Sequence, residues 1–495
     1  MPSIGEVRRS PRECSLMTRK YEEIAEQISN WIFESAYGPG DRLPSIRTLS
    51  KTTRVSVTTV IAALRLLESR GLVEAKDRAG YFINMPSVRP GTFGPQRRAN
   101  KTDSSQKQPP EDHLRLNLKH DEAILLGTAT PADHYLPIRQ IQKSLLRSAR
   151  RASESLSYSF PGDPRYLTAV GRRMTSVGVT ASASDIISTG GAQESLALAL
   201  RSIAQPGDQV AVFVPASPGI VQAIRAVDLS VVEILCKDDG QPCLDTLEEV
   251  LKQTRIKAIC ISANASNPTG LTLSDGQKAK LLEIVYQRGI VVIEDDVYGD
   301  LFFGTRRPPP LKAFDNGDSV IYCSSFSKTV SPGLRAGWIM PGRFYTQVSD
   351  QKYFMNLSSP AVTQMALADY LGSGSHDLYL RKIRRTYQKN SIKLRDLVLS
   401  EFPEGTMCTK PDGGFALWVV LPQWINATDL YPIARNAGYC FAPGQIFSAS
   451  GRFPNCLRLS GARPMDAAFE AGMVFLAKEF KKCEMRVRNR QLSSV

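Results

Sequence analysis

The chain has 495 residues, 42% of them apolar, and 62 basic against 48 acidic side chains give a formal charge of +14 and favour anionic partners. That length holds two or three domains, and the absence of any apolar run near the roughly 18 residues of a membrane span argues against a membrane protein. The opening MPSIGEVRRSPREC lacks the apolar core of a secretion signal. Nine scattered cysteines with no CxxC, and four histidines outside any ligand-like pair, point to reduced thiols, no metal and a cytoplasmic location.

Residues 1–17 read as a flexible tail and 18–86 as a first folded unit. Tyr21, Ile24, Ile28 and Ile32 recur at helical spacing, and Pro44 and Ser45 open a short second helix holding Ile46 and Leu49. RVSVTTVIAALRLLESRGLV predicts a third helix, capped by Ser56, turning Val57, Val60, Leu64 and Leu67 inward and ended by Gly71. LVEAKD and YFIN then flank the turn DRAG, a hairpin signal. Three helices and a ribbon assemble naturally as an α+β winged helix-turn-helix.

Between Arg42 and Leu67 the basic residues are Arg42, Arg47, Lys51, Arg54 and Arg65, with no acid among them, which matches a phosphate footprint. Ser56, Thr58 and Thr59 place small hydrogen-bonding groups at the start of the third helix, where a major groove would be read. Lys76 and Arg78 sit at the wing tip. Charge alone is also satisfied by a three-helix bundle with a solvated basic face. The segment PGDRLPSIRTLSKTTRVSVTTVIAALRLLESRGLV, followed by DRAGYFI, resembles the winged helix-turn-helix of GntR-type bacterial regulators. The resemblance implies a double-stranded DNA operator as partner, Arg47 and Arg54 on phosphates, the Ser56 to Thr59 end facing bases, and the Gly80 turn in the minor groove. Val57 and Ile61 stand where that family often carries arginine.

Residues 87–115 read as a linker: Ser87 to Pro110 holds four prolines, two glycines and little to bury. A flexible chain of that stretch spans roughly 27 Å. Residues 116–485 form the second unit and 486–495 a tail. VAVFV, AICIS, IVVIED and SVIYCSS are continuous apolar runs separated by amphipathic stretches, the pattern of a parallel α/β sheet. From about 341 a long helical region, then GGFALWVVLP and CLRLSGA, predict a smaller α+β subdomain over about 341–485.

STGGAQESL, SNPTG, EDDVYGDL and SSFSKTVSPGLRAGW each follow a strand run, at the sheet edge where α/β proteins bind ligands. An aldehyde-bearing pyridine phosphate needs what they offer. Lys328, beside Arg335, supplies an amine able to shed its proton. Ser325, Ser327, Arg335 and the backbone N–H groups of Ala192 and Gln193 supply phosphate donors. Asp295 supplies a carboxylate for a ring nitrogen, and Asn267 and Tyr298 donors for a phenolic oxygen.

In order and spacing these motifs resemble the fold-type I pyridoxal 5'-phosphate (PLP) enzymes of the aspartate aminotransferase superfamily, over roughly Asp121 to Phe480. The resemblance implies a PLP-dependent transferase fold with large and small subdomains, Lys328 as Schiff-base lysine, Arg458 in CLRLSGA on a substrate or effector carboxylate, Tyr158 reaching the phosphate of a neighbouring subunit, and a homodimer. Where that family stacks an aromatic ring on the pyridine, VFVPASPGI has Ser217. A GntR-type head on such a body matches the MocR group of bacterial regulators. The expected function is therefore an operator-binding regulator that answers to PLP or to an amine or amino-acid effector. An active aminotransferase carrying an appended DNA-binding module is the alternative.

Overall fold

The computed structural model describes residues 11–33, 40–77, 79–84 and 123–492. The expected linker and Arg78 lie outside the described residues. The chain divides into two compact units, Met1–Gln106 and Lys107–Val495.

In the first unit, helices α1 (Pro11–Phe33), α2 (Ile46–Thr53) and α3 (Val57–Ser69) precede strands β1 (Val73–Lys76) and β2 (Gly80–Ile83). Ile24, Ile28 and Ile32 of α1 pack with Leu49, Val60, Leu64, Leu67, Val73 and Ile83 in one apolar core. Ser45 Oγ accepts from the Thr48 N–H and Ser56 Oγ from the Thr59 N–H, each at 3.2 Å, so both helices of the turn begin on side-chain caps. Strands β1 and β2 pair antiparallel with Val73 opposite Ile83 and Lys76 opposite Gly80. Residues 41–43 extend this ribbon: Leu43 N–H donates to Tyr81 O and Ile83 N–H to Asp41 O, both at 2.9 Å.

Two expectations change here. Helix α1 begins at Pro11, so residues 11–17 of the expected tail are helical; proline is well suited to a first helical turn, and no glycine interrupts the helix after it. Val57 is 45% exposed rather than inward, because the first turn of α3 overhangs the core that Val60 and Leu64 enter.

The second unit is built on a seven-stranded sheet in the order β4-β10-β9-β8-β7-β5-β6. Its strands are β4 (Ile187–Thr189), β5 (Gln209–Val214), β6 (Ser230–Leu235), β7 (Ile256–Ile261), β8 (Val291–Asp295), β9 (Val320–Ser325) and β10 (Gly337–Met340); β3 (Ile124–Leu125) lies outside it. Strands β5 to β9 run parallel, and β8 and β9 are buried throughout, as their unbroken apolar runs require. Strand β10 is antiparallel to both β9 and β4, so the sheet is mixed. The return from β9 to β10 is too short for the crossover that a parallel strand needs.

Helices α4 (Ile138–Ala149), α5 (Pro164–Ser176), α6 (Ala192–Ile203), α7 (Pro218–Arg225), α8 (Leu244–Gln253) and α9 (Asp275–Tyr286) accompany this sheet. After 341, α10 (Tyr345–Asn356) packs on α6, and α11 (Ala361–Gly372) on α4 and α5, so both still belong to the large layer. Helix α12 (Ser375–Glu401) leads into the small subdomain, a four-stranded sheet ordered β11-β12-β15-β14 and formed from β11 (Met407–Cys408), β12 (Ala416–Val420), β14 (Ala442–Pro443) and β15 (Cys456–Ser460). Leu394 and Val398 of α12 join α13 (Ala427–Asn436), α14 (Ala467–Leu492) and the sheet in a second core. Strand β13 (Tyr439–Cys440) pairs in parallel with β3. The expected tail from 486 is helical through Leu492, its sequence EMRVRNRQL holding neither glycine nor proline.

Candidate functional site

The motifs singled out in the body meet at the carboxyl edge of the large sheet. Strand β8 ends on Asp295, 7% exposed, and β9 ends on Ser325, three residues before Lys328. Lys328 Nζ lies 5.8 Å from the centre of the Tyr298 ring and donates to Ala129 O at 2.8 Å. Burial, then the positive charges of Arg458 and Arg335, bring its pKa down to about 8 against the opposing pull of Asp295. Burial, then the neighbouring Asp296 carboxylate, pushes Asp295 up to about 7, and its Oδ1 is buried without a hydrogen-bond partner. An acceptor left in that state is costly unless a donor fills the space before it.

Behind Asp295, Asp296 is held by Arg307 Nη2 at 2.7 Å and by the Tyr322 hydroxyl at 2.8 Å; Arg307 Nε also reaches Asp300 at 2.7 Å. The last carboxylate of the EDD run is thus occupied, as is the first, Glu294, which accepts from the Leu311 and Lys312 N–H groups, and Asp295 Oδ1 is the oxygen left buried without a partner.

Helix α6 starts at Ala192 after Gly191, whose φ of +116° no side chain accepts readily and which supplies no side-chain cap. The Arg335 guanidinium lies against it, its Nη2 only 2.9 Å from where a Cβ would stand. Free N–H groups at a helix start, Arg335, and the Ser325 and Ser327 hydroxyls make a phosphate-sized donor set. The Gln193 side chain turns aside to donate to Gly219 O at 2.7 Å.

On the other wall Arg458 of β15 is 3% exposed, and burial brings its pKa down to about 10. It donates to Gly127 O through Nε at 3.2 Å and Nη2 at 2.6 Å, and to Asn267 Oδ1 through Nη1 at 2.9 Å. Asn267 Nδ2 in turn donates to Ser217 Oγ at 3.3 Å. The structure therefore places Lys328, Asp295, Tyr298, Asn267, Arg458, Ser325, Ser327, Arg335, Ala192 and Gln193 along one edge. Tyr158 stands 82% exposed and makes no hydrogen bond or ring contact with them.

The orphaned Asp295 oxygen, the amine near neutrality and the donor set at α6 together fit an aldehyde-bearing pyridine phosphate: an acceptor for a ring N–H, a nucleophile and an anion cradle. Sequence reasoning missed the carbonyls of Gly127 and Ala129, which are backbone groups with no side-chain signature. It also missed Glu194, which accepts from Gly190 N–H with one oxygen and, with the other, from Lys352 Nζ and Asn356 Nδ2, both at 2.8 Å. That strap ties the start of α6 to α10, and only contact across the fold reveals it.

In the first unit Arg47, Lys51, Arg54, Arg65 and Lys76 are exposed, as are Ser56, Thr58 and Gly80. Lys76 Nζ lies over the Phe82 ring at 4.8 Å, and Gly80 has φ of +103°. Thr59 departs from expectation: it is 7% exposed, and its hydroxyl is hydrogen-bonded to Ser56 Oγ at 2.8 Å. It belongs to the cap, and little of its surface is left exposed.

Two family models match the chain: "Bacterial regulatory proteins, gntR family" over residues 20–83 and "Aminotransferase class I and II" over residues 124–471. The HTH-type transcriptional regulator YjiR of Escherichia coli K12 is 33% identical over 92% of this chain and 97% of its own length. A second E. coli regulator of that type, YdcR, is 31% identical over 90% and 95%. Among solved structures, the α-aminoadipate aminotransferase LysN of Thermus thermophilus, complexed with N-(5'-phosphopyridoxyl)-L-leucine, superimposes with a TM-score of 0.70 at 28% identity, over 75% of this chain and 95% of that one. The multiple substrate aminotransferase of Thermococcus profundus gives 0.71 at 27%, over 77% and 96%.

Proposed function

We propose, for a chain that belongs to the MocR type of GntR-family regulators and whose body is an aminotransferase class I and II domain, that it is a PLP-dependent transcription regulator acting where the operator DNA is, in the cytoplasm. The winged head binds duplex DNA through Arg47, Arg54, Arg65 and Lys76 on phosphates, with Ser56 and Thr58 toward the bases and the Gly80 turn toward the minor groove. The body holds PLP and reads an amine or amino-acid effector.

The observation that carries the cofactor reading is the buried, unpartnered Asp295 Oδ1 in the same cleft as Lys328. Asp295 would counter the ring nitrogen, Tyr298 and Asn267 would support the phenolic oxygen, and Ser325, Ser327, Arg335 and the start of α6 would hold the phosphate. Bound there, PLP supplies an electrophilic aldehyde and an electron sink. Lys328 holds or releases the proton at Nζ, and Arg458 orients an effector carboxylate. A homodimer, with Tyr158 completing the partner's phosphate site, is part of this reading. An effector shifts DNA binding only by favouring one conformation over another.

The test is spectroscopic. Incubation with PLP should give a near-ultraviolet or visible band that borohydride fixes on Lys328 and that Lys328→Ala abolishes; a colourless protein ends the proposal. Retention of Lys328, Asp295 and Arg458 in one cleft favours a second reading, an active aminotransferase. Rapid turnover of amino acids with 2-oxoglutarate, with neighbouring gene expression unaffected by deletion of the chain, would establish it instead.

A further inference from the structure

The outward side of α12 carries Arg381, Lys382, Arg385 and Lys389, all exposed, lining a shallow groove with Leu378 and Thr386. No acid lines that groove, and among the described residues none of the four makes an ion pair. Neighbouring charges on the helix are engaged elsewhere: Asp377 with Arg173 at 3.4 Å, and Lys393 with Glu470 at 2.6 Å. Arg384 shows what a structural arginine does on this helix. It turns inward, donates to Asp300 O at 2.6 Å and stacks 4.1 Å over the Phe302 ring.

Arg381, Arg385 and Lys389 succeed one another at i, i+4 and i+8, so like charges face each other along the helix and weaken it until anions neutralise them. At 1.5 Å per residue the ridge extends about 12 Å. A single small anion engages one or two of these cations, whereas a duplex backbone, with one charge per roughly 1.7 Å of axis, meets them all. A membrane-lying helix needs an apolar face turned outward beside its cations. On α12 the stripe of Leu380, Ile383, Tyr387, Leu394 and Val398 is buried in the body, and the exposed Leu378, Ile392 and Leu399 are spread over about six turns rather than forming a continuous face.

We propose that this ridge is a second DNA contact, gripping the sugar-phosphate backbone of duplex DNA independently of base sequence. The inference rests on the regulator reading of the head and adds a body surface to it. The same helix carries Tyr387, whose ring meets Phe415 at 5.2 Å while Phe415 meets Tyr298 at 5.3 Å, so the buried side of the ridge helix reaches the pocket wall through Phe415.

The test compares four full-length proteins on a mixed-sequence duplex between 50 and 200 mM salt: wild type, a quadruple ridge variant (Arg381→Gln, Lys382→Gln, Arg385→Gln, Lys389→Gln), a single ridge variant (Arg385→Glu) and a head variant (Arg47→Gln, Arg54→Gln). Each phosphate contact contributes about 0.9 to the slope of log affinity against log salt. Two to four lost contacts in the quadruple ridge variant should flatten the slope by about 1.8 to 3.6, so that wild type loses about 12- to 150-fold more affinity over this salt range. Arg385→Glu alone should flatten it by about 1; in both ridge variants the PLP band should match wild type and the melting point should equal or exceed it, because repulsion along α12 is relieved, which separates lost contact from misfolding. An unchanged slope in both ridge variants, with weakened binding in the head variant, overturns the ridge and leaves the regulator standing. Undiminished DNA binding in the head variant as well counts against the regulator reading itself. Loss of binding to phosphatidylserine vesicles with DNA binding unchanged would assign the ridge to a membrane and overturn the proposal.

Discussion

Arg458 donates to Asn267 Oδ1 at 2.9 Å across the cleft, joining β15 of the small sheet to the loop after β7 of the large one. The same guanidinium satisfies Gly127 O. Arg458→Met therefore leaves buried acceptors without donors, and should lower stability by about 1 to 3 kcal/mol. It should also weaken the response to amino acids while sparing amines that lack a carboxylate. Melting curves and effector titrations check both; equal loss for the two ligand classes would remove the carboxylate role.

Lys328 must be neutral to attack an aldehyde, and its pKa of about 8 lies below the ordinary 10.5 chiefly because it is buried and next because Arg458 is close. The borohydride-trapped fraction after a short exposure to PLP should rise with pH through about 8 and then level. In Arg458→Met the midpoint should move upward, since a repelling charge is gone. Native Lys328 binds fewer protons than the unfolded chain between about 8 and 10.5, so its contribution to stability grows across that window.

Asp295 behaves oppositely. Its pKa of about 7 exceeds the ordinary 3.8, so between those values the native state binds more protons than the unfolded one. The stability it contributes is complete below 3.8 and disappears as pH rises through about 7. Denaturant melts of the PLP-free protein should show this decline, and Asp295→Asn should lack it, becoming more stable than wild type at pH 8 by roughly 2 to 4 kcal/mol. A parallel pH profile in both proteins would show that Asp295 ionises freely.

Ser217 opens α7 without a side-chain capping bond, and its hydroxyl accepts from Asn267 Nδ2. Ser217→Phe places a ring where the sequence lacks one, and should tighten PLP binding about 2- to 12-fold, the equivalent of about 0.5 to 1.5 kcal/mol. Equilibrium dialysis measures it; an unchanged constant would mean that another group already covers the ring.

At the start of α3 the exposed Val57 and Thr58 are separated in role from the buried Thr59. Ser56→Ala should cost the head about 1 kcal/mol through its cap. Thr59→Val should also act on stability, whereas Val57→Ala and Thr58→Ala should weaken operator binding with unchanged melting. Calorimetry and gel shifts distinguish these; a DNA defect confined to Thr59 would reverse the assignment.

In the large sheet the strands legible in the sequence were those whose burial on both faces demands unbroken apolar runs, β5, β7, β8 and β9. Strand β4 has only three residues and β10 four, too few to signal a period. Site residues carried on short motifs, Asn267, Asp295, Tyr298 and Lys328, were visible because each motif sits at a strand end. Glu194 and Lys352 are 158 residues apart, and nothing local links them. Helical spacing placed Val57 on the stripe of Val60, but periodicity does not say where a core stops. Thr59 is polar and buried because its hydroxyl lies within the cap, a geometry that composition cannot express.

Strand β3, among the first residues of the body that the structure describes, hydrogen-bonds in parallel with Tyr439 and Cys440 beside the small sheet, and Ser460 N–H donates to Leu126 O at 2.8 Å. Residues 124–126 are thus fastened to the half of the cleft that bears Arg458. On the regulator reading, a ligand that draws this half toward Lys328 carries residues 124–126 along as cargo.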